Sequence, residues 1–198
     1  MRAVVIAWIA LVSLAGAGEA GVIHGTLSLP NHAQRATLVE AVVYIDPLPD
    51  ALEKKWRSTN PTFTVIQRSR RFIPRVSAVP VGSTIRFQNR DDVYHNVFSV
   101  SPPKRFDLGK YPRNATNQVT FTRPGVVNLF CDIHPGMAAW VFVVPHRLYV
   151  RPLSDGSFVF PKLPAGPYTL VAWHPSFGRI TRQIELPRHR DVQVAMKL

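Results

Sequence analysis

The chain has 198 residues, of which 46% are hydrophobic, and its formal net charge is +12. This length accommodates one large or two small domains, and the apolar content is ample for a packed core, which excludes a disordered chain as the default reading. The basic residues are spread along the sequence, mainly in residues 68–75, 104–113 and 179–190. No nucleic-acid-binding module and no aromatic residues interleaved with these charges accompany them, so we expect no nucleic-acid partner.

The first twenty residues have the composition of an export signal. Arg2 is followed by an apolar segment at residues 3–15 and then by small residues, which predicts cleavage after Ala17 or after Ala20. No later stretch is long and apolar enough to span a bilayer. We therefore predict a signal peptide over residues 1–20, no integral membrane segment after its removal, and a periplasmic or otherwise secreted protein.

Residues 21–60 predict two strands followed by a break. Residues 21–29 and 38–45 have strand-like apolar patterns, with a polar, turn-like segment at residues 30–37 between them. The proline-containing stretch at residues 46–50 ends this pattern. Residues 51–60 are charged, which predicts a linker or a short surface helix.

Residues 61–144 predict short strands separated by turns, with no helix longer than a turn or two. The predicted extended segments are residues 63–67, 72–76, 84–88, 119–122, 126–130 and 138–144. A long Pro- and Gly-containing connection occupies residues 99–117. Short strands with turns at fairly regular spacing are typical of a Greek-key sandwich.

Residues 145–198 also predict β-structure. The predicted strands are residues 148–153, 157–160, 168–173, 180–186 and 192–198. Asp155-Gly156 lies between the first two of these strands, and Asp-Gly between apolar runs is a strong hairpin signal.

A compact group of possible metal ligands lies in the loop that follows residues 126–130. Cys131, His134 and Met137 have the spacing Cys-x2-His-x2-Met, and His95 is a fourth candidate upstream. Two His and one Cys with a weak axial Met is the ligand set of electron-transfer copper sites. Asn96, next to His95, is expected to hydrogen-bond the first ligand strand to the ligand loop.

Other interpretations of this group fit less well. Zinc would accept Cys and two His, but Met is a poor zinc ligand. A binuclear copper centre needs a second Cys, whereas Cys131 is the one Cys of the sequence. A Cys–His nucleophile lacks an orienting carboxylate other than Asp132. The remaining histidines lack ligand spacing and are interpreted as structural or surface residues: His24, His32, His146, His174 and His189.

Residues 63–144 resemble a cupredoxin of the plastocyanin and amicyanin kind. The resemblance is carried by His95-Asn96, Cys131, His134 and Met137, and the short ligand loop is most similar to that of amicyanin. It implies one type 1 copper ion held by these four ligands and a role in electron transfer without catalysis. The combination also resembles exported proteins labelled as methylamine-utilisation proteins, a label that carries no evidence of methylamine chemistry.

Residues 145–198 resemble the latter part of a carboxypeptidase-regulatory-like (transthyretin-like) sandwich. The resemblance is carried by Asp155-Gly156-Ser157-Phe158, by residues 163–168 and by the strand through Trp173. The opening of such a sandwich is missing there but present at residues 21–45. We therefore predict an all-β protein in which a cupredoxin domain at residues 61–144 is inserted into a discontinuous sandwich of residues 21–50 and 145–198.

These expectations lead to two functional hypotheses. The first is an exported blue copper electron carrier whose partner is an acidic exported redox protein, attracted by the basic charge. The alternative is a copper-binding protein for storage, delivery or sensing, in which the second sandwich binds the partner. A plainer alternative is a surface β module with a vestigial metal site. The sequence does not indicate the oligomeric state.

Overall fold

The computed structural model describes residues 20–30 and 35–198, and it confirms an all-β fold. In this part of the chain one α-helix, α1 (Asp50–Trp56), and one 3-10 helix (Arg35–Glu40) accompany the strands. The strands are β1 (Ala20–Gly21), β2 (Ile23–Ser28), β3 (Val42–Ile45), β4 (Thr62–Arg68), β5 (Arg71–Ile73), β6 (Val76–Pro80), β7 (Thr84–Asn89), β8 (Phe98–Ser99), β9 (Phe106–Asp107), β10 (Thr116–Thr120), β11 (Gly125–Phe130), β12 (Ala138–Val144), β13 (Tyr149–Val150), β14 (Ser157–Val159), β15 (Leu163–Pro164), β16 (Gly166–His174), β17 (Gly178–Leu186) and β18 (Val192–Lys197).

Strands β4 to β12 form two sheets, which we call the central group of strands. One sheet has the order β10-β7-β4-β5 and the other has the order β6-β12-β11-β8-β9. Alternating side chains of β4, β7 and β11 point inward, so apolar residues of both sheets meet in one core. The largest fully buried side chains of this core are Phe87, Phe121, Ile85 and Leu129.

The remaining strands come from both ends of the chain, and we call them the split group of strands. Their main sheets have the orders β13-β3-β16-β17 and β14-β2-β18, while β1 pairs with β15. In each main sheet a strand from residues 20–45 lies between strands from residues 149–197. They bury a second core, whose largest fully buried side chains are Phe160, Ile23, Leu27, Ile45, Leu148, Leu163, Leu170 and Leu186.

A third apolar cluster joins the two groups of strands. It contains residues of β3 and β16 from the split group and of β6 and β12 from the central group. Phe142 stacks on Trp173 with ring centroids 4.5 Å apart and planes 6° from parallel. The Tyr149 hydroxyl also donates to the Ala78 carbonyl at 3.0 Å. Dry aromatic packing of this kind favours a fixed arrangement of the two groups.

Several predicted elements differ from the observed ones. The strand predicted at residues 38–45 begins only at Val42, because Leu38 lies in the 3-10 helix, where its carbonyl accepts from the Ala41 N–H at 3.0 Å. The strand predicted at residues 119–122 is observed at Thr116–Thr120, and that at residues 148–153 is reduced to Tyr149–Val150. Strand Val76–Pro80 was not predicted, since Pro74 shortly before it and Pro80 at its last position disfavour sheet pairing.

Other expectations fall on the connections and the N-terminus. The charged segment at residues 51–60 contains most of α1, as the short-helix alternative anticipated. The signal peptide prediction, except for Ala20, and residues 31–34 of the turn-like segment lie outside the described residues. Within the described residues, no helix has both the length and the apolar character that a membrane crossing requires.

Candidate metal centre

Three of the four predicted ligands meet at one end of the central group of strands. The Cys131 Sγ lies 3.9 Å from the His95 Nδ1 and 3.6 Å from the His134 Nδ1. One donor atom from each of the three residues lies within 4.8 Å of the others. His95 thus meets Cys131 and His134, which lie 36 and 39 positions later in the sequence, and the three residues place soft and borderline donors around one point.

The ligand loop is a tight turn between β11 and β12. The Cys131 N–H donates to the Met137 carbonyl at 3.3 Å, and the Met137 N–H donates to the His134 carbonyl at 3.1 Å. Gly136 has a φ of 82°, a left-handed conformation that glycine adopts without steric cost. These bonds bring Cys131, His134 and Met137 together on the same turn, and Met137 is buried there.

The orientation of His95 is set by a carboxylate. The ring is fully buried, and its Nε2 lies 2.8 Å from the Asp91 Oδ2. A carboxylate only accepts, so Nε2 carries a proton and donates to it, while Nδ1 is the ring nitrogen that faces Cys131. The Asp91 carboxylate also accepts from the backbone N–H groups of Ser69, at 2.6 Å, and Arg70, at 2.8 Å.

The charge of this carboxylate is favoured by its partners. Burial alone would raise the pKa of Asp91, but the N–H of Arg70, the His95 imidazole and the N–H of Ser69 together lower it below the ordinary value. Asp91 therefore stays ionised at neutral pH. It is the kind of outer partner that fixes the tautomer and ring position of a ligating histidine.

His134 is the ligand candidate nearest to solvent. Its ring is half-buried, whereas Pro135 and Gly136 after it are exposed. Its ring centroid lies 4.7 Å from that of His95. Desolvation, the His95 charge and the Arg70 charge lower the pKa of His134, against the opposing effect of Asp91 and Asp132. A neutral imidazole is the form that binds a metal.

Asn96 contacts the centre differently from the sequence-based expectation. Its backbone N–H donates to the Cys131 Sγ at 3.5 Å, so the link to the ligand loop is made by the main chain. The side-chain amide instead donates to the Asp107 carboxylate at 2.6 Å, while its Oδ1 has no hydrogen-bond partner. An N–H directed at the sulfur stabilises the negative charge of a thiolate.

A buried polar network supports the strand that carries His95. The Gln67 Nε2 donates to the Asn96 carbonyl at 3.3 Å, and its Oε1 accepts from the Tyr111 hydroxyl. Tyr111 and His95 also exchange backbone hydrogen bonds, of 2.8 and 3.1 Å. Burial, and secondarily the charge of Cys131, raise the pKa of Tyr111, so its phenol remains a donor.

The ligand candidates were recognisable in the sequence, but the residues that hold them were not. Asp91, Gln67 and Tyr111 were not singled out. The one usable signal was a carboxylate four residues before His95, and in a loop that spacing does not predict contact. Gln67 and Tyr111 reach the site only through sheet pairing, which the sequence pattern did not specify.

The spacing of the donors fits a first-row transition metal. An ion about 2.0–2.3 Å from each thiolate or imidazole donor requires donors roughly 3.5–4 Å apart. The observed Sγ–Nδ1 separations of 3.6 and 3.9 Å lie in this range. A thiolate and two imidazoles, with the buried Met137 on the same turn, suit copper, whose two oxidation states both tolerate such donors.

Fold and site thus define an all-β protein with a cysteine–dihistidine centre at the end of a sandwich. No protein-family model matches the chain, and no curated protein matches it. Among solved structures, the chain is similar to a copper-containing nitrite reductase from Thermus scotoductus SA-01, at 31% identity and a TM-score of 0.40. That match covers 42% of this chain and only 22% of the reductase chain.

Two smaller proteins are matched over most of their length. A reduced amicyanin variant is 26% identical, with 42% of this chain and 82% of that chain covered and a TM-score of 0.39. A purple cupredoxin from Nitrosopumilus maritimus is 24% identical, with 41% of this chain and 98% of that chain covered and a TM-score of 0.38. These neighbours are cupredoxins, and they match about half of the chain.

Proposed function

We propose that this chain is an exported type 1 (blue) copper protein that acts in electron transfer and is not an enzyme on its own. The observation that carries this proposal is the placement of one thiol sulfur and one nitrogen from each of two imidazoles within 4.8 Å of one another. Two of these three residues, His95 and Cys131, are buried. A bound copper ion would supply one-electron redox chemistry at this point.

Some residues of this centre would bind the ion directly, and others hold those ligands in position. His95, Cys131 and His134 would bind it, and Met137 would be a fourth, weaker ligand. Asp91 holds the His95 ring, and the Asn96 N–H orients the Cys131 sulfur. Because these groups are already fixed by buried hydrogen bonds, a change of oxidation state would require little rearrangement, which favours rapid electron exchange.

The alternative of copper storage, delivery or sensing is less well supported. Sites that release copper benefit from open, Met- or His-rich surroundings, whereas three of the four proposed ligands here are buried and the sequence has three Met in total. We further propose that the split group of strands is a transthyretin-like sandwich, as its sequence predicts. Its role in this protein would be to support the copper domain through the shared third cluster.

The visible spectrum of the copper-loaded protein tests this function. Wild-type protein with Cu(II) should be intensely coloured by thiolate-to-copper charge transfer, and a redox titration should be reversible. Cys131→Ser should abolish the colour, while His24→Ala, at a half-buried histidine outside the site, should leave it unchanged. A colourless Cu(II) complex of folded wild-type protein would refute the assignment. Rapid loss of copper to a chelator, with poor redox reversibility, would favour the delivery alternative.

A further inference from the structure

The hairpin between β4 and β5 carries three arginines at its tip. Arg68 and Arg71 are paired across the two strands, and Ser69 and Arg70 form the turn with φ of 53° and 55°. We call Arg68, Arg70 and Arg71 the arginine tip. All three side chains are exposed, and none makes an ion pair within the described residues.

The arginine tip is connected to the metal centre by hydrogen bonds. The backbone N–H of Arg70 binds the Asp91 carboxylate, and that carboxylate binds His95. The His95 ring in turn lies beside the half-buried His134 ring, with 4.7 Å between centroids. Two hydrogen bonds thus separate the hairpin turn from a ligand of the proposed copper.

The acidic residues of residues 61–144 do little to offset the positive charge of the arginine tip. Residues 61–144, all of them described, contain eleven Lys and Arg and four Asp. Three of these carboxylates already bind groups of the same chain, since Asp91 binds His95, Asp92 pairs with Arg113 at the surface and Asp107 binds Asn96. At physiological ionic strength charges act over about 8 Å, so the charges nearest the point of contact govern an encounter. The arginine tip, whose turn lies two hydrogen bonds from His95, is a group of charges of this kind.

We propose that the arginine tip is the docking element for an acidic redox protein that exchanges electrons with the centre through His134. This proposal rests on the proposed function. Carboxylates of the partner would pair with the guanidinium groups, which match them in a two-point geometry. One electron would pass from the reduced partner to the centre, without transfer of a proton or a group, and a bound copper ion would supply the one-electron redox chemistry that accepts it.

The position of the tip favours a protein partner over an anionic membrane. A partner held at the tip would approach the half-buried His134, and the exposed Pro135 and Gly136 beside it are small enough to allow close contact. A contact confined to the arginine tip and these few residues would be small, and small interfaces are typical of brief redox encounters, in which the partners must separate quickly. A membrane bound at the same place would cover that edge instead.

Two variants with the same loss of charge test the proposal. Arg68→Gln/Arg70→Asn removes two charges at the tip, and Asn tolerates the left-handed backbone of position 70. The control, Arg123→Gln/Arg182→Gln, removes two exposed charges, one beyond the far end of β11 and one on β17. Stopped-flow rates would be measured with a small acidic c-type cytochrome across ionic strength, and each variant's copper potential would be recorded.

At low ionic strength the tip variant should react about threefold to tenfold more slowly than wild type, with a weaker salt dependence, and the control variant less than twofold more slowly. Arg68→Lys/Arg70→Lys should retain most of the rate. Equal losses in both double variants would overturn the proposal, since net charge alone would then act. It would also be overturned if the tip variant lost binding to phosphatidylglycerol vesicles while keeping its rate. A protein that folds but shows no copper–thiolate band would instead refute the proposed function.

Discussion

The contact between Asp91 and His95 gives a prediction that the structure makes quantitative. In the Asp91→Ala variant three hydrogen bonds disappear, two from the turn amides of Ser69 and Arg70 and one from the His95 Nε2. The turn amides are exposed and would bind water after the substitution, so each contributes about 1 kcal/mol. The fully buried His95 N–H would lose its partner, at a cost of about 1–3 kcal/mol. We expect the metal-free protein to lose roughly 3–5 kcal/mol of unfolding free energy.

The same substitution should weaken copper binding. Without the carboxylate, neither the tautomer nor the ring orientation of His95 is fixed, and loss of such an outer partner typically costs about 10–100-fold in metal affinity. Asp91→Asn should not restore stability or copper affinity. Both oxygens of Asp91 accept hydrogen bonds, and the NH2 group of Asn would face an N–H donor in place of one of these oxygens. Urea unfolding of the metal-free protein and copper competition titrations would measure the two effects.

The neighbouring acid provides a matched control. Asp92 also carries a carboxylate in the same loop, but its side chain is 80% exposed and pairs with Arg113 at the surface. Exposed ion pairs contribute little, so Asp92→Ala should change the unfolding free energy by less than about 1 kcal/mol and leave copper affinity unaltered. If Asp91→Ala and Asp92→Ala behaved alike in both measurements, the role assigned to Asp91 would be wrong.

Three further predictions concern the split group of strands. Gly25→Ala should destabilise the protein by about 2–3 kcal/mol in urea unfolding, because the added Cβ would lie 2.0 Å from the buried Phe158 ring, whereas Thr26→Ala at the adjacent exposed position should have little effect. Burial lowers the pKa of His146, so the folded state keeps this side chain neutral. The unfolding free energy should therefore fall as the pH drops below about 6.5, the pKa of histidine in the unfolded chain. Between pH 8 and pH 5, urea unfolding should show a smaller loss of this free energy for His146→Gln than for wild type. Fragment 146–198 expressed alone should not fold, because the strands that lie in the middle of both its main sheets are absent, and a cooperative melt of this fragment by circular dichroism would contradict that reasoning.

Local sequence patterns were sufficient for most strands and for the ligand candidates. Alternating apolar residues placed strands within one or two positions of β7 and β12, since a strand pattern has a period of two residues. The ligand loop was readable because Cys131, His134 and Met137 lie within seven residues. The 3-10 helix at Arg35–Glu40 and the strand at Val76–Pro80 were missed, because tertiary packing overrides weak local preference there.

The all-β class and the chemistry of the donors follow from the amino-acid sequence alone. Which distant groups meet these donors depends on the folded chain, because sheet pairing brings His95 to Cys131 and a hairpin turn to Asp91. The turn between β4 and β5 likewise links the neighbouring Arg68, Arg70 and Arg71 to the metal centre, because its amides bind Asp91 and Asp91 binds His95. Contacts between residues far apart in the chain depend on strand order and register, and a local pattern does not encode either of them.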